Sequence, residues 1–270
     1  MKRFVVLLGA FIVFLGIGSA MATPFGKNIT IYDKRSGTYD NKGGYYTQDW
    51  WTNAGEDEEV EPGMIDTQAW DLEGFFLEGT TLTMVGGFDF KNGVTYAGHT
   101  YTSGDIFIDI DGNAQFGTGS DTEVKNYGYE YVIDLDFVSL EYHAYALGDN
   151  PLLSKVYSYN QPESDPWQFT HQNEGEISNG YMKLFGYSGT DVIPSGLGFE
   201  GNTRYAVSVD IGWLFDLGYK GFISHFTMEC GNDNLIGQNP VPEPATMLLF
   251  GIGLCGLAVV GRKRLVKSER

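Results

Sequence analysis

Apolar and polar residues alternate along several stretches in the middle of the chain. Within residues 104–113 isoleucine occupies the alternate positions 106, 108 and 110, and residues 129–137 repeat the pattern with larger side chains. A period of two predicts β-strands that present one apolar face to a core. Residues 204–213 predict a further strand, and its inward face would carry Tyr205, Val207, Val209, Ile211 and Trp213.

The composition favours the same architecture. The chain contains 37 glycines and 15% aromatic residues, a combination typical of strands joined by tight turns. Its two cysteines are too few for a disulfide framework, so the stability must come from a core. We predict an all-β fold, with a single antiparallel, jelly-roll-like β-sandwich formed by residues 23–239, a length that suits one sizeable core.

The N-terminus has the three parts of a secretory signal peptide. Lys2 and Arg3 precede an apolar run over residues 4–17, and the small residues Ala20 and Ala22 frame a cleavage site. We predict a signal peptide over residues 1–22. An uncleaved N-terminal anchor is the alternative, and the Ala-x-Ala pattern disfavours it.

A second apolar run lies near the C-terminus. Its 14 residues, 247–260, would form a helix of about 21 Å, which is shorter than the ~30 Å hydrocarbon core of a membrane. Basic residues follow at once and hold the C-terminus in the cytoplasm. We predict a single-span helix over about residues 247–261 and a cytoplasmic basic tail over residues 265–270. The membrane stop consists of Arg262, Lys263 and Arg264.

Proline flanks an acidic residue directly before this helix, in Pro242-Glu243-Pro244. The prolines remove backbone donors and favour an extended chain, which suits binding in a protease cleft. This motif, the short helix and the basic stop together resemble the PEP-CTERM sorting signal of exported Gram-negative proteins, over residues 240–264. The resemblance implies an exosortase that recognises the motif and removes the helix and tail. An ordinary single-span anchor with a proline-rich stalk is the alternative.

The same resemblance implies a location. The protein would be exported, transiently anchored in the inner membrane of a Gram-negative bacterium by the C-terminal helix, and then placed on the cell surface or in an extracellular matrix, in association with biofilm or exopolysaccharide. Residues 222–233, with His225 and Cys230, resemble the end of the passenger domain in many PEP-CTERM proteins. We favour a structural strand and turn there, with Cys230 a buried thiol, over a cysteine nucleophile activated by His225.

The net charge of residues 23–239 limits the classes of molecule that can bind to them. Residues 23–239 retain 10 of the 17 basic and 33 of the 35 acidic residues, a net charge of about −23. Such a surface repels nucleic acid and anionic membranes, because binding to phosphates needs clustered Lys and Arg. Cations and neutral polymers, such as an extracellular polysaccharide, are the better candidates.

Acidic residues occupy the polar face of the two alternating stretches. If the two strands pair, their aspartates converge, and hard oxygen ligands in an export compartment favour Ca²⁺. Solvated aspartates at a strand end are the alternative. The stretch is not an EF-hand, because Ala114 and Ser120 stand where that loop needs Gly and Glu, although Asp121 can complete a different loop. The candidate calcium ligands are Asp105, Asp109, Asp111, Asn113, Asp134 and Asp136.

Three functions follow in order of preference. The first is a non-enzymatic surface or matrix protein, and the second is a calcium-dependent carbohydrate-binding module, which would need Trp50, Trp51 or Trp167 on an accessible platform. The third is a glycan-active hydrolase that uses an acid pair, either Asp109 with Asp134 or Glu130 with Asp136. No serine-hydrolase, zinc-protease, phosphate-loop or dinucleotide motif occurs in the sequence.

Overall fold

The computed structural model describes residues 24–31, 38–39, 45–46, 60, 64–65, 67–114, 126–156, 164–170, 175–199 and 201–239. Several predictions therefore lie outside the described residues. These are the signal peptide with Ala20 and Ala22, the sorting region 240–264 with its helix, the tail 265–270, and the positions Trp50, Trp51, Ser120 and Asp121.

The described residues are mostly strand. The strands of the first half are Lys27–Asn28 (β1), Thr30–Ile31 (β2), Thr38–Tyr39 (β3), Tyr45–Tyr46 (β4), Leu72–Glu78 (β5), Thr81–Gly86 (β6), Val94–Tyr96 (β7), His99–Tyr101 (β8) and Ile106–Asp109 (β9). Those of the second half are Tyr131–Asp136 (β10), Glu141–Ala146 (β11), Leu152–Ser154 (β12), Gln168–Thr170 (β13), Glu176–Tyr181 (β14), Lys183–Phe185 (β15), Tyr205–Asp210 (β16), Phe222–Thr227 (β17) and Asn234–Asn239 (β18). A short 3₁₀ helix, Gln68–Trp70, and an α-helix, Gly212–Asp216 (α1), accompany them.

Two antiparallel sheets hold most of these strands. One has five strands in the order β1-β5-β6-β16-β15, and the other has seven in the order β14-β11-β10-β9-β17-β18-β2. Small hairpins form from β3 with β4, β7 with β8, and β12 with β13. The prediction of a β-rich, antiparallel fold is thus confirmed.

One hydrophobic cluster, here called the main core, joins the two sheets. Phe75 and Met84 come from the five-stranded sheet, whereas Ile108, Ile133 and Phe226 come from the seven-stranded sheet, and all five are fully buried. Burial of each such side chain stabilises the fold by roughly 1.5–3 kcal/mol. The predicted inward faces of β9 and β10 lie in this core.

The seven-stranded sheet carries a second cluster, here called the outer core, on its opposite face. Phe107, Tyr129, Val132 and Tyr145 pack there against Phe169 of the β12–β13 hairpin. Strand β9 is consequently buried on both faces. The sequence pattern of β9 indicates one apolar and one more polar face. The more polar face is also buried because the β12–β13 hairpin covers it.

The strand predicted over residues 204–213 ends early. Strand β16 stops at Asp210, whose Oδ1 accepts the N–H of Gly212 at 2.8 Å and so turns the chain into helix α1. Ile211 and Trp213 nevertheless remain in the main core. The predicted burial of these residues is right, and the predicted strand beyond Asp210 is wrong.

One continuous stretch changes sheets. Strand β14 pairs with β11 of the seven-stranded sheet, and β15 pairs with β16 of the five-stranded sheet. Between them Met182 is buried in the main core and donates its N–H to the carbonyl of Leu140 at 2.8 Å. The side chains of Tyr181 and Lys183 therefore flank the crossing point.

Candidate functional site

The pairing of β9 with β10 decides which acidic side chains meet. Ile108 lies opposite Tyr131 and Ile106 lies opposite Ile133. Continuation of this register places Asp109 opposite Glu130 at one end and Asp105 opposite Asp134 at the other. Of the aspartates expected to converge, Asp105 and Asp134 face each other, whereas Asp109 faces Glu130. Phe107 and Val132 lie between these two places.

The first group consists of Asp109, Asp111 and Glu130. Each offers one carboxylate oxygen, and these oxygens all lie within 4.8 Å of one another. Asp109 is 1% exposed, Glu130 is half-buried and Asp111 is exposed. We call these three residues the acid cluster. The cluster lies at the surface, and only Asp109 is buried.

A turn holds the buried member of the acid cluster. Asp109 Oδ1 accepts the N–H groups of Asp111 at 2.9 Å and Gly112 at 2.7 Å, and Oδ2 accepts that of Ala114 at 2.9 Å. Gly112 has a φ of 81°, a conformation that glycine adopts without steric cost. These donors orient the carboxylate and offset part of its charge.

Electrostatic repulsion acts on Glu130. Burial raises the pKa of this carboxyl, and the charges of Asp111 and Asp109 raise it further, while the N–H of Ile110, which Oε2 accepts at 2.9 Å, opposes the shift. A bound divalent cation would remove the repulsion, and carboxylate oxygens are the ligands that Ca²⁺ prefers. The residues present therefore fit a hard cation.

Asn113 is hydrogen-bonded to one member of the acid cluster, Asp111. Its N–H and its side-chain amide donate to the two carboxylate oxygens of Asp111 at 3.1 and 2.9 Å. It therefore orients Asp111. Asn113 stays a predicted calcium ligand next to the three carboxylates.

Asp105 and Asp134 form the second group, on the far side of the outer core. Asp105 is 2% exposed, and its two oxygens accept the N–H groups of Leu135 at 3.0 Å and Phe169 at 2.8 Å. Burial raises the pKa of Asp105 well above 3.8, and the charge of Asp134 and a hydrogen bond between the two carboxyl groups add to this shift. Asp105 thus fastens β13 to β10.

Asp136 has a third, unrelated environment. Its carboxylate accepts the N–H groups of Val138 at 2.8 Å and Ser139 at 3.2 Å and the hydroxyl of Ser139 at 2.9 Å. These hydrogen bonds lower its pKa. Asp136 therefore caps the turn between β10 and β11, and the structure separates it from the acid cluster.

The structure accordingly divides the six predicted calcium ligands and adds one that the sequence analysis missed. Glu130 follows the same alternation as Asp134 and Asp136, so extending that pattern backwards by one step would have found it. Neither acid pair considered for hydrolysis is a facing pair: the register matches Asp109 with Glu130 and not with Asp134. Glu130 directly precedes strand β10, and Asp136 lies at the other end of the same strand.

The closing segment, residues 222–233, has structural roles in both cores. His225 is fully buried and stacks on Tyr129 with ring centroids 5.7 Å apart, and burial lowers its pKa to about 3. Cys230 lies in the main core, and burial raises the pKa of its thiol to about 12. A neutral imidazole and a protonated thiol in different cores do not form a nucleophile–base pair.

Two polar residues at the end of this segment bind distant backbone. The side-chain amide of Asn232 donates to the carbonyl of Ile65 and accepts its N–H, both at 3.0 Å. Asp233 accepts the N–H of Leu72 at 2.6 Å and that of Asn234 at 2.7 Å. These contacts join the closing segment to the start of β5.

Within the described part of the chain, no helix is both long and apolar enough to span a membrane. Residues 240–264 match the family model described as the PEP-CTERM protein-sorting motif. The chain therefore carries a PEP-CTERM sorting motif at residues 240–264. The motif implies an exosortase as processing partner and an exported, transiently membrane-anchored protein. No curated protein and no solved structure matches the chain significantly.

Proposed function

We propose that this protein is an exosortase substrate whose exported segment, residues 23–239, acts without catalysis on the cell surface or in a biofilm or exopolysaccharide matrix. The sorting motif carries the proposal. We further propose that the two antiparallel sheets form a single jelly-roll-like β-sandwich, because one core draws side chains from both.

The chemistry of the sorting region supports processing. Its apolar run is about 21 Å long as a helix, too short to span a ~30 Å hydrocarbon core without strain, so it serves better as a temporary anchor than as a permanent one. The basic stop keeps the tail in the cytoplasm and presents Pro242, Glu243 and Pro244 on the outer side, where an exosortase can bind the extended proline motif.

Co-expression of the full chain with and without an exosortase tests the proposal. We expect a shorter, released form only with the exosortase, whereas Glu243→Ala stays full-length in the membrane fraction. Glu269→Ala, an acid-to-alanine change beyond the basic stop, is the matched control and should be processed normally. Equal processing of both variants, or release without the exosortase, would contradict the proposal.

A calcium-dependent carbohydrate-binding module is the second candidate. The acid cluster favours it, since the three carboxylates approach within 4.8 Å, and burial together with the charges of Asp111 and Asp109 raises the pKa of Glu130. Asp109, Asp111 and Glu130 would hold the ion, and Asn113 would orient Asp111. Calcium would stabilise the end of β9 and the turn after it; the aromatic platform over Trp50 and Trp51 lies outside the described residues, and Trp167 is half-buried.

A further inference from the structure

A cleft of about 440 Å³ opens on the five-stranded sheet. Strand β16 shows which face it occupies: Val207 belongs to the main core, whereas the side chains of Ser208 and Asp210, of opposite parity, line the cleft. The cleft therefore lies on the outer face of this sheet. The acid cluster belongs to the other sheet, so the two features are separate.

Strand register builds a polar floor in the cleft. Thr81 lies opposite both Glu78 and Asp210, which gives a row of hydroxyl and carboxylate groups across three strands. In the next row Thr83 lies opposite Ser208, and their hydroxyls are hydrogen-bonded at 2.7 Å. Both rows line the cleft.

Aromatic and cationic side chains form the wall of the cleft. Lys183 lies opposite Ser208, and its Nζ sits 4.7 Å from the ring centroid of Phe185. Phe185 in turn contacts Phe25 edge-on at 5.0 Å. Tyr181 is 76% exposed at the same cleft, an unusual degree of exposure for a large aromatic side chain.

We infer that this cleft binds a neutral oligosaccharide. The exposed hydroxyl of Thr81 both donates and accepts, the exposed carboxylates beside it accept and the ammonium of Lys183 donates. These groups match the mixed hydrogen-bonding groups of sugar hydroxyls. An exposed tyrosine ring covers the apolar face of a sugar while its hydroxyl stays in water. The net charge of about −23 on residues 23–239 disfavours a polyanionic chain.

This inference names a ligand class and a site for the exported domain. It rests on the proposed function only for the location at which the protein encounters its ligand, outside the cell. Binding at the cleft requires neither exosortase processing nor calcium. It also differs from the calcium-dependent module, whose ion would sit on the other sheet.

Calorimetric titration of the full chain tests it, in a zwitterionic detergent that carries no sugar and in the presence of a chelator. The probes are cellohexaose, laminarihexaose and maltohexaose, with an oligogalacturonate as the anionic comparison. We expect at least one neutral hexasaccharide to bind and Tyr181→Ala to weaken that binding about tenfold or more, the scale of a lost aromatic anchor.

Tyr96→Ala is the matched control, because Tyr96 is also an exposed tyrosine, on the β7–β8 hairpin and outside the cleft. It should leave the affinity unchanged, while Lys183→Met should lower it. Absence of binding by all three neutral probes at about 10 mM, a preference for the anionic probe, or equal effects of Tyr181→Ala and Tyr96→Ala would overturn the inference. Exosortase processing does not enter the measurement, so its failure would not imitate any of these results.

Discussion

The carboxyl group of Asp105 is hydrogen-bonded to that of Asp134, which faces it across strands β9 and β10. Two carboxyl groups in contact need a proton between them, and Asp105 is buried, so the folded state holds this proton more tightly than the unfolded chain does. The raised pKa of Asp105 therefore makes a contribution to stability that falls as pH rises from 3.8 through the folded-state value.

Asp134→Asn should weaken this dependence, although the burial of Asp105 remains. The amide can donate to Asp105 without adding a charge, so the pKa of Asp105 moves toward its usual range and the free energy of unfolding at neutral pH rises relative to wild type. Urea unfolding across mildly acidic to neutral pH measures the effect. Asp136→Asn is the control and should act in the opposite direction, because hydrogen bonds lower the pKa of Asp136 and stabilise its charged form. A wild-type pH profile retained in Asp134→Asn would refute the shared proton.

Calcium should stabilise the protein through the acid cluster. At about 100 times its Kd the ion adds roughly 2.7 kcal/mol, which moves the thermal midpoint of the full chain visibly when calcium is compared with chelator. The double variant Asp111→Asn plus Glu130→Gln should lose this shift. Asp136→Asn, outside the cluster, should keep it. A midpoint that ignores calcium, or an equal shift in the double variant, counts against the calcium-dependent module.

His225 should limit stability in acid. Burial lowers its pKa from 6.5 to about 3, so below pH 6.5 the unfolded chain takes up a proton that the folded state refuses, and stability falls by about 1.4 kcal/mol per pH unit toward pH 3. His225→Phe, which keeps a ring beside Tyr129, should reduce this fall in stability with decreasing pH. Denaturant unfolding from neutral to acid pH measures the slope, and an unchanged slope in the variant would argue against a buried neutral imidazole.

The ion pair of Glu73 with Arg204 should be costly to break on one side. The carboxylate is fully buried, accepts from Arg204 Nε at 2.6 Å and also accepts from the amide of Gln68 at 2.7 Å. Arg204→Met leaves a buried charge without its cation, and we expect a loss of about 3–5 kcal/mol in the free energy of unfolding. The double variant Arg204→Met plus Glu73→Leu should recover most of the loss. If its loss instead equals the sum of the losses in the single variants Arg204→Met and Glu73→Leu, packing and not charge dominates.

Local patterns predicted the faces of the strands correctly. Ile106, Ile108 and Ile133 lie in the main core as the alternation indicated, because side-chain direction follows from the backbone period alone. The same reasoning placed Trp213 inward but missed the helix that carries it, since the Asp210 turn competes locally with strand continuation. The alternation along β10 also reaches Glu130, but strand register decides that Glu130 meets Asp109.

The sequence by itself determined the sorting motif near the C-terminus and the β-rich nature of the segment before it. The sorting motif, the short apolar run and the basic stop act through order and length along the chain, so residues 240–264 suffice to identify them. Only the tertiary structure decided that Asp109 meets Glu130, that Asp105 is buried against Asp134, and that Thr83, Ser208 and Lys183 form one row of a cleft. Strand order, register and the cover of each face depend on the packing of the whole chain, because a shift of one residue would move every side chain to the other face.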